Sequence, residues 1–294
     1  MVLYFLVRIA SFIFGRLPLR QGYALACVVG YIVYLAWPRG RTCLRENMGY
    51  VLGNGASQKQ IDGLAKASLR NYLRYLVDFA HLPAMKPEDI EKRVIFQGLD
   101  NLEGALREGK GVILVLLHQG NWDLGGAAIA LRNYPLNVVA ESFPYEKLNK
   151  FVQRRRQEKG VKVIPMEHGV GRMVQALRRN ELLALLIDNT GAHKGVVVRF
   201  FDAITQVPRG AATLALKTEA KVIPASSVRL SDNSFFALIG EYIRFEPSGE
   251  LKKDIQAMTQ RIMNSMEGFV SQYPEQWYMF RRMWLKEASD SGLI

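Results

Sequence analysis

Cysteine is scarce in this chain. Cys27 and Cys43 are the only two in 294 residues and form no Cys-x-x-Cys, which excludes a disulfide-stapled scaffold and a zinc ribbon. The simplest reading is two reduced, cytosol-facing thiols. Histidine occurs at 81, 118, 168 and 193, too scattered for metal-ligand spacing, so no metal is expected. There is no Gly-x-Ser-x-Gly, so the nucleophile elbow of a serine lipase is missing. Gly104 to Lys110 approaches a phosphate-binding loop, but Gly111 stands where Ser or Thr would hold magnesium, and the segment precedes its strand instead of following one. Nucleotide hydrolysis is therefore not expected. Acidic residues are outnumbered, 27 against 39 Lys and Arg, giving a net charge of +12 and a pI near 9.7. That balance calls for an anionic partner. No nucleic-acid recognition motif is present, so an anionic membrane surface or the phosphates of an acyl carrier fit better than nucleic acid.

No uncharged apolar run reaches the roughly 20 residues that cross a bilayer perpendicularly. Met1 to Phe14 is apolar around Arg8, and Tyr23 to Trp37 is apolar without a charge. No Lys or Arg precedes the first run, so a cleaved signal peptide is not expected. Up to Ala56 there are six Arg and one acid, Glu46, with Tyr23, Tyr31, Tyr34 and Trp37 as interface anchors. Residues 1–56 read as membrane-associated helices on the anionic cytoplasmic face, and 57–294 as a single α/β domain.

Ser57 and Gln60 have capping-box spacing, and the apolar residues that follow recur at helical intervals, predicting a helix that ends near Pro83. Beyond it strands and helices alternate. Strands are expected at 94–96, 112–117, 137–140, 162–165, 182–187, 196–201, 222–227 and 235–245. Helices are expected from 100 and 122 and over 145–159, 170–179, 209–218 and 252–272. The expected fold is α/β, a mostly parallel central sheet flanked by helices.

The strand Gly111 to Leu117 runs straight into His118-Gln-Gly-Asn-Trp-Asp123. In α/β sheets, ligands bind beyond the carboxyl ends of strands. An imidazole there, titrating near neutrality, can take a proton from a hydroxyl, and a carboxylate on its other nitrogen fixes the tautomer. Asp123 is the expected orienter of His118. Gly120 leaves room for an approaching group and, with nearby amides, could receive a developing oxyanion.

This block closely resembles the His-x4-Asp/Glu block of the glycerolipid and lysophospholipid acyltransferases, specifically the bacterial lipid A biosynthesis branch, which includes the mycobacterial phosphatidylinositol mannoside acyltransferases. Further blocks agree in order over about residues 90 to 285. They are Val138 to Glu141 with Leu148, Phe151, Arg154-Arg155 and Gly160; Leu182 to Asp188 with Gly195, Phe200-Phe201, Pro208 and Gly210; Lys221 to Pro224; and Tyr273 to Trp277 with Arg281, Arg282 and Trp284. Two departures stand out: Asp188-Asn-Thr190 where the branch often has Asp-x-Asp, and Asp202 where many relatives have Gly. Both put the acceptor in question.

The resemblance implies an acyltransferase fold and an O-acyltransferase using acyl-CoA or acyl carrier protein as co-substrate, a glycolipid acceptor and no other cofactor. It implies substrate-binding roles for Asn121, Glu141 and Arg154. Asp188, ending an apolar strand, could orient substrate or His118, or serve turn chemistry. Arg209, at an expected helix start, is a candidate phosphate ligand. Lys147 to Lys162 holds seven basic residues against Glu158, either a phosphate site or a solvated helix face. The Met-rich face of the last helix is expected to be core, and Tyr278 to Trp284 either a packed strap or a membrane contact. A lysophospholipid acyltransferase and a non-catalytic lipid-binding protein remain alternatives.

Overall fold

The computed structural model describes residues 2–189 and 195–285. Four helices come first: α1 (Val2–Phe14), α2 (Leu19–Ala36), α3 (Pro38–Leu52) and α4 (Gln58–His81). α4 starts at the expected capping box, with Ser57 and Gln60 satisfying each other's end of the helix. α2 begins directly after Pro18 and so takes in Leu19 to Gly22, which makes it, by length and composition, a helix that could cross a membrane. The outer faces of α1 and α2 are apolar and exposed, Phe12 at 63% and Val28 at 58%.

The α/β part continues through α5 (Pro87–Arg93), β1 (Val94–Gln97), α6 (Leu99–Arg107), β2 (Val112–Leu116), α7 (Trp122–Leu131), β3 (Leu136–Ala140), α8 (Glu146–Gln157), β4 (Lys162–Pro165), α9 (Val170–Arg178) and β5 (Leu182–Leu186). β6 (Gly195–Phe200), β7 (Ala203–Pro208), α10 (Gly210–Thr218), β8 (Lys221–Arg229), β9 (Phe235–Ile239) and α11 (Leu251–Gln272) complete it. The central sheet has seven strands in the order β1-β9-β8-β2-β5-β3-β4. β8, β2, β5, β3 and β4 run parallel, while β9 is antiparallel to β8 and carries β1 parallel to itself. The mostly parallel sheet is as expected.

β2 is central and buried on both faces, with Val112, Ile113 and Val115 fully inaccessible. Each such side chain contributes roughly 1.5–3 kcal/mol of burial. At the amino ends of the strands, Glu181 is bonded by Arg179, Asn137 and Lys162. Burial alone would raise its pKa, but these partners outweigh it and hold the carboxyl at about 2.

The structure corrects two strand assignments. β6 does not join the sheet but pairs antiparallel with β7, a strand the periodicity did not single out, and β9 ends at Ile239 instead of running to Phe245. The β6–β7 link is two residues, Phe201 and Asp202, with φ of 47° and 58°. That left-handed pair is what a tight hairpin needs and what Gly would adopt at least cost. Asp202 is therefore a turn residue. Thr190, the other departure, lies outside the described residues, as does His193.

The Met-rich face of α11 is core, with Met258, Ile262, Met263 and Met266 buried. Residues 277–284 form a packed strap in which Trp277, Tyr278, Met279, Met283 and Trp284 are buried. α3 and α4 hold this strap. Asn47 donates to the carbonyls of Met279 and Arg281, and Ser68 donates to that of Trp277 at 2.6 Å. α2 is tied to the sheet through Asp78 on α4, which takes Tyr23 at 2.5 Å and Arg93 at 3.1 Å and pairs with Arg229.

Candidate active site

His118 and Asp188 meet because of strand register. β2 and β5 are adjacent and parallel, with Leu116 opposite Leu186, so the residues two further on lie side by side past the carboxyl ends. Asp188 is buried, and its Oδ1 lies 2.6 Å from His118 Nδ1. Its Oδ2 accepts the His118 amide at 2.8 Å and the Trp277 indole N–H at 3.0 Å. Burial would raise the Asp188 pKa, but the charge of His118 and these hydrogen bonds outweigh it and hold the carboxyl below its ordinary value. An ionised carboxylate only accepts, so the ring proton sits on Nδ1 and Nε2 keeps its lone pair. The imidazole is partly exposed and lines a cavity of about 990 Å³. The strap fixes the backbone too: the Tyr278 N–H donates to the His118 carbonyl at 2.8 Å.

Asp123 is not the orienter of His118. It stands at the start of α7, 7% exposed, where α8 and α4 engage it instead. Arg156 Nε lies 2.6 Å from its Oδ1 and Nη2 3.3 Å from Oδ2, and the Tyr75 hydroxyl donates at 2.7 Å. Burial acts first on Arg156, but the charge of Asp123 outweighs it and raises its pKa further. Asp123 and Arg156 both line the cavity, as do His118 and Trp122, whose ring centroids are 5.3 Å apart.

Gly120 is also corrected. Its N–H donates to the Gln276 carbonyl at 2.9 Å and so is not free to receive an oxyanion, and the Asn121 N–H is equally committed to Ser227. With φ +65°, a Cβ on Gly120 would lie 2.0 Å from the Ser227 carbonyl oxygen, so this glycine admits strand β8, not a ligand. Asn121 caps α7, its Oδ1 accepting the Leu124 N–H at 3.0 Å. Glu141 is exposed at the end of β3, on the rim of the cavity.

Arg154 points outward, 79% exposed and paired with Glu158, and Arg209 is an exposed residue capping α10; neither lines the cavity. The inward arginine is Arg156, which continues the buried stripe of Leu148 and Val152 at four-residue intervals. That spacing was the signal that separates it from its two neighbours. Tyr75 carries no local sequence mark of a site, and Trp277 stands in the terminal block without a role that the sequence assigns. Among the described residues, no group of three His, Cys, Asp or Glu is placed to hold a metal ion.

The cavity wall is overwhelmingly apolar, and polar groups cluster at its mouth, where Arg281 donates to Asn189 beside Asp188. An apolar chamber ending at a histidine oriented by an ionised carboxylate can hold a hydrocarbon chain and deprotonate a hydroxyl at its head.

The sequence profile of the family described as bacterial lipid A biosynthesis acyltransferase matches residues 1–286. A phosphatidylinositol mannoside acyltransferase of Mycolicibacterium smegmatis is 29% identical over 262 residues, covering 87% of this chain and 84% of its own. One from Mycobacterium tuberculosis is 30% identical over 265 residues, covering 88% and 81%. A lipid A biosynthesis acyltransferase of Haemophilus influenzae is 23% identical over 239 residues, covering 81% and 73%.

Proposed function

The chain belongs to the bacterial lipid A biosynthesis acyltransferase family, and from that premise we propose a membrane-associated O-acyltransferase that moves a fatty acyl group from an acyl thioester to a hydroxyl of a glycolipid. The donor is acyl-CoA or acyl carrier protein. The acceptor is of the phosphatidylinositol mannoside or lipid A precursor type, and the higher identity and coverage of the mannoside acyltransferases favour the former. The protein works at the cytoplasmic face of the bacterial plasma membrane, a reading supported by the exposed apolar outer faces of α1 and α2 and by the net positive charge.

The observation that carries the reaction is the His118–Asp188 pair at the head of an apolar cavity. The acceptor oxygen attacks the thioester carbonyl carbon while His118 Nε2 takes its proton. The C–S bond then breaks, and the thiolate recovers the proton from the imidazolium. Asp188 stabilises that imidazolium. Asp123 and Arg156 are positioning residues that lock the start of α7 against α8.

The test is thiol release from palmitoyl-CoA by detergent-purified protein, wild type against His118→Ala, with and without a mixed bacterial glycolipid extract. Release that needs His118 and rises with the extract is the expected outcome. Release stimulated instead by lysophospholipid would move the acceptor to that class. Equal background from both proteins, repeated with acyl carrier protein as donor, would leave a lipid-binding protein.

A further inference from the structure

The cavity at His118 is too large for one chain. Taking about 30 Å³ per methylene, close to the volume of a water in the liquid, a palmitoyl chain fills roughly 500 Å³, about half of the 990 Å³ present. The lining divides by element into two sets. One belongs to the sheet and α7, with Leu114, Ala184, Ala225, Gly126, Ile129 and Leu136. The other lies under the N-terminal helices, between Val7 of α1, Val29 of α2 and Leu73 of α4. The sets meet at Tyr75 and Trp122, whose ring centroids are 4.4 Å apart, beside His118.

The two arms differ in their outer walls. The sheet arm is enclosed by the folded domain, with Ala225 and Leu136 almost inaccessible. The N-terminal arm is roofed by α1, whose far side carries Leu6, Ile9 and Phe12, all more than half exposed. A helix apolar on both sides is at home with hydrocarbon on both sides. α1 also reaches across to α8, with Tyr4 and Phe151 edge to face at 6.3 Å, so it closes the arm without sealing it into the core.

We propose that the N-terminal arm is a second acyl-chain site and holds a fatty chain already present on the acceptor lipid, while the sheet arm holds the chain of the donor. The assignment rests on the acyltransferase reading above. A donor delivered by a water-soluble carrier must bury its whole chain in the protein, which the enclosed arm allows. A lipid acceptor keeps contact with the bilayer and enters where the wall is a single lipid-compatible helix. The two chains then bring their polar ends together at His118, one presenting a thioester carbonyl and the other a hydroxyl.

The test compares transfer from palmitoyl-CoA to a diacyl phosphatidylinositol mannoside and to the same molecule with its chains removed. Wild type is expected to prefer the diacyl acceptor. Val7→Trp and Val29→Trp, which fill the N-terminal arm, should each lower the ratio of kcat/KM between diacyl and deacylated acceptor at least tenfold, with the preference among donor chain lengths as in wild type. Ala184→Leu or Gly126→Val should instead shift donor preference toward shorter chains. Folding is checked by thermal melting and membrane association by vesicle flotation. An unchanged acceptor ratio in both Trp variants, folded and vesicle-bound, would overturn the proposal, as would a Val7→Trp shift in donor chain length. If wild type transfers to neither acceptor, from palmitoyl-CoA or from palmitoyl acyl carrier protein, the phosphatidylinositol mannoside reading of the acceptor fails separately. The two-site inference is then decided by binding of a pyrene-labelled phosphatidylinositol: simultaneous binding with palmitoyl-CoA supports two sites, and mutual displacement refutes them.

Discussion

Asp188 is buried and bonded by an imidazole, an amide and an indole, which hold its carboxyl below its ordinary pKa and ionised at neutral pH. Its contribution to stability is fully present above the unfolded carboxyl value of about 3.9 and is lost as pH falls through the lower folded value. Asp188→Asn is expected to lower kcat on the order of 10³–10⁴-fold, because the amide can donate to Nδ1 and trap the wrong tautomer. Pre-steady-state acyl transfer alongside a melting curve checks this, and a folded variant with near-normal turnover would remove the orienting role. At this scale His118 was legible from a strand end. Its partner was legible only as an alternative: Asp188 was open as an orienter of His118, but an acid five residues away competes on paper with one 70 residues away that only strand register brings close. The usable clue was that His118 and Asp188 each follow an apolar strand at the same offset.

Between elements, the Asp123–Arg156 pair joins the first turn of α7 to the last turn of α8, with side chains 4% and 16% exposed. Arg156→Ala leaves a buried carboxylate without its counter-charge, and removing one partner of such a pair costs about 3–5 kcal/mol. Urea unfolding should show that loss in the midpoint, together with a fall in activity as the mouth of the cavity loosens. The β6–β7 turn works in the opposite direction. Asp202 sits at φ 58°, where a side chain costs roughly 1 kcal/mol relative to glycine. Asp202→Gly is expected to raise the melting temperature by a few degrees with acceptor choice unaltered, as scanning calorimetry and a lipid product profile would show. The alternating strands and helices were legible because each buried strand is a short apolar run. α3 was not, since Arg39, Arg41 and Arg45 hide its buried Leu44 and Met48, and the seven residues of α5 are too few to show a period.

Across the whole molecule, the site depends on residues from opposite ends of the chain. α3 and α4 hold the strap, and the strap supplies the indole on Asp188 and the amide on the His118 carbonyl. No local pattern announces such long-range dependence, which is why Tyr75 carried no mark in the sequence and Trp277 stood in a recognisable block without its role, while the sheet was legible. The separation has a temporal meaning. Asn47 and Met279 are 232 residues apart, and at roughly 5–20 residues per second a ribosome needs on the order of 10–50 s to make what lies between them. Through that interval α3 and α4 wait for the strap they will hold, and by its end His118 and Asp188 are present but unclamped. Assembly and activation are thus ordered in time: the N-terminal helices are made first, and the site is clamped last.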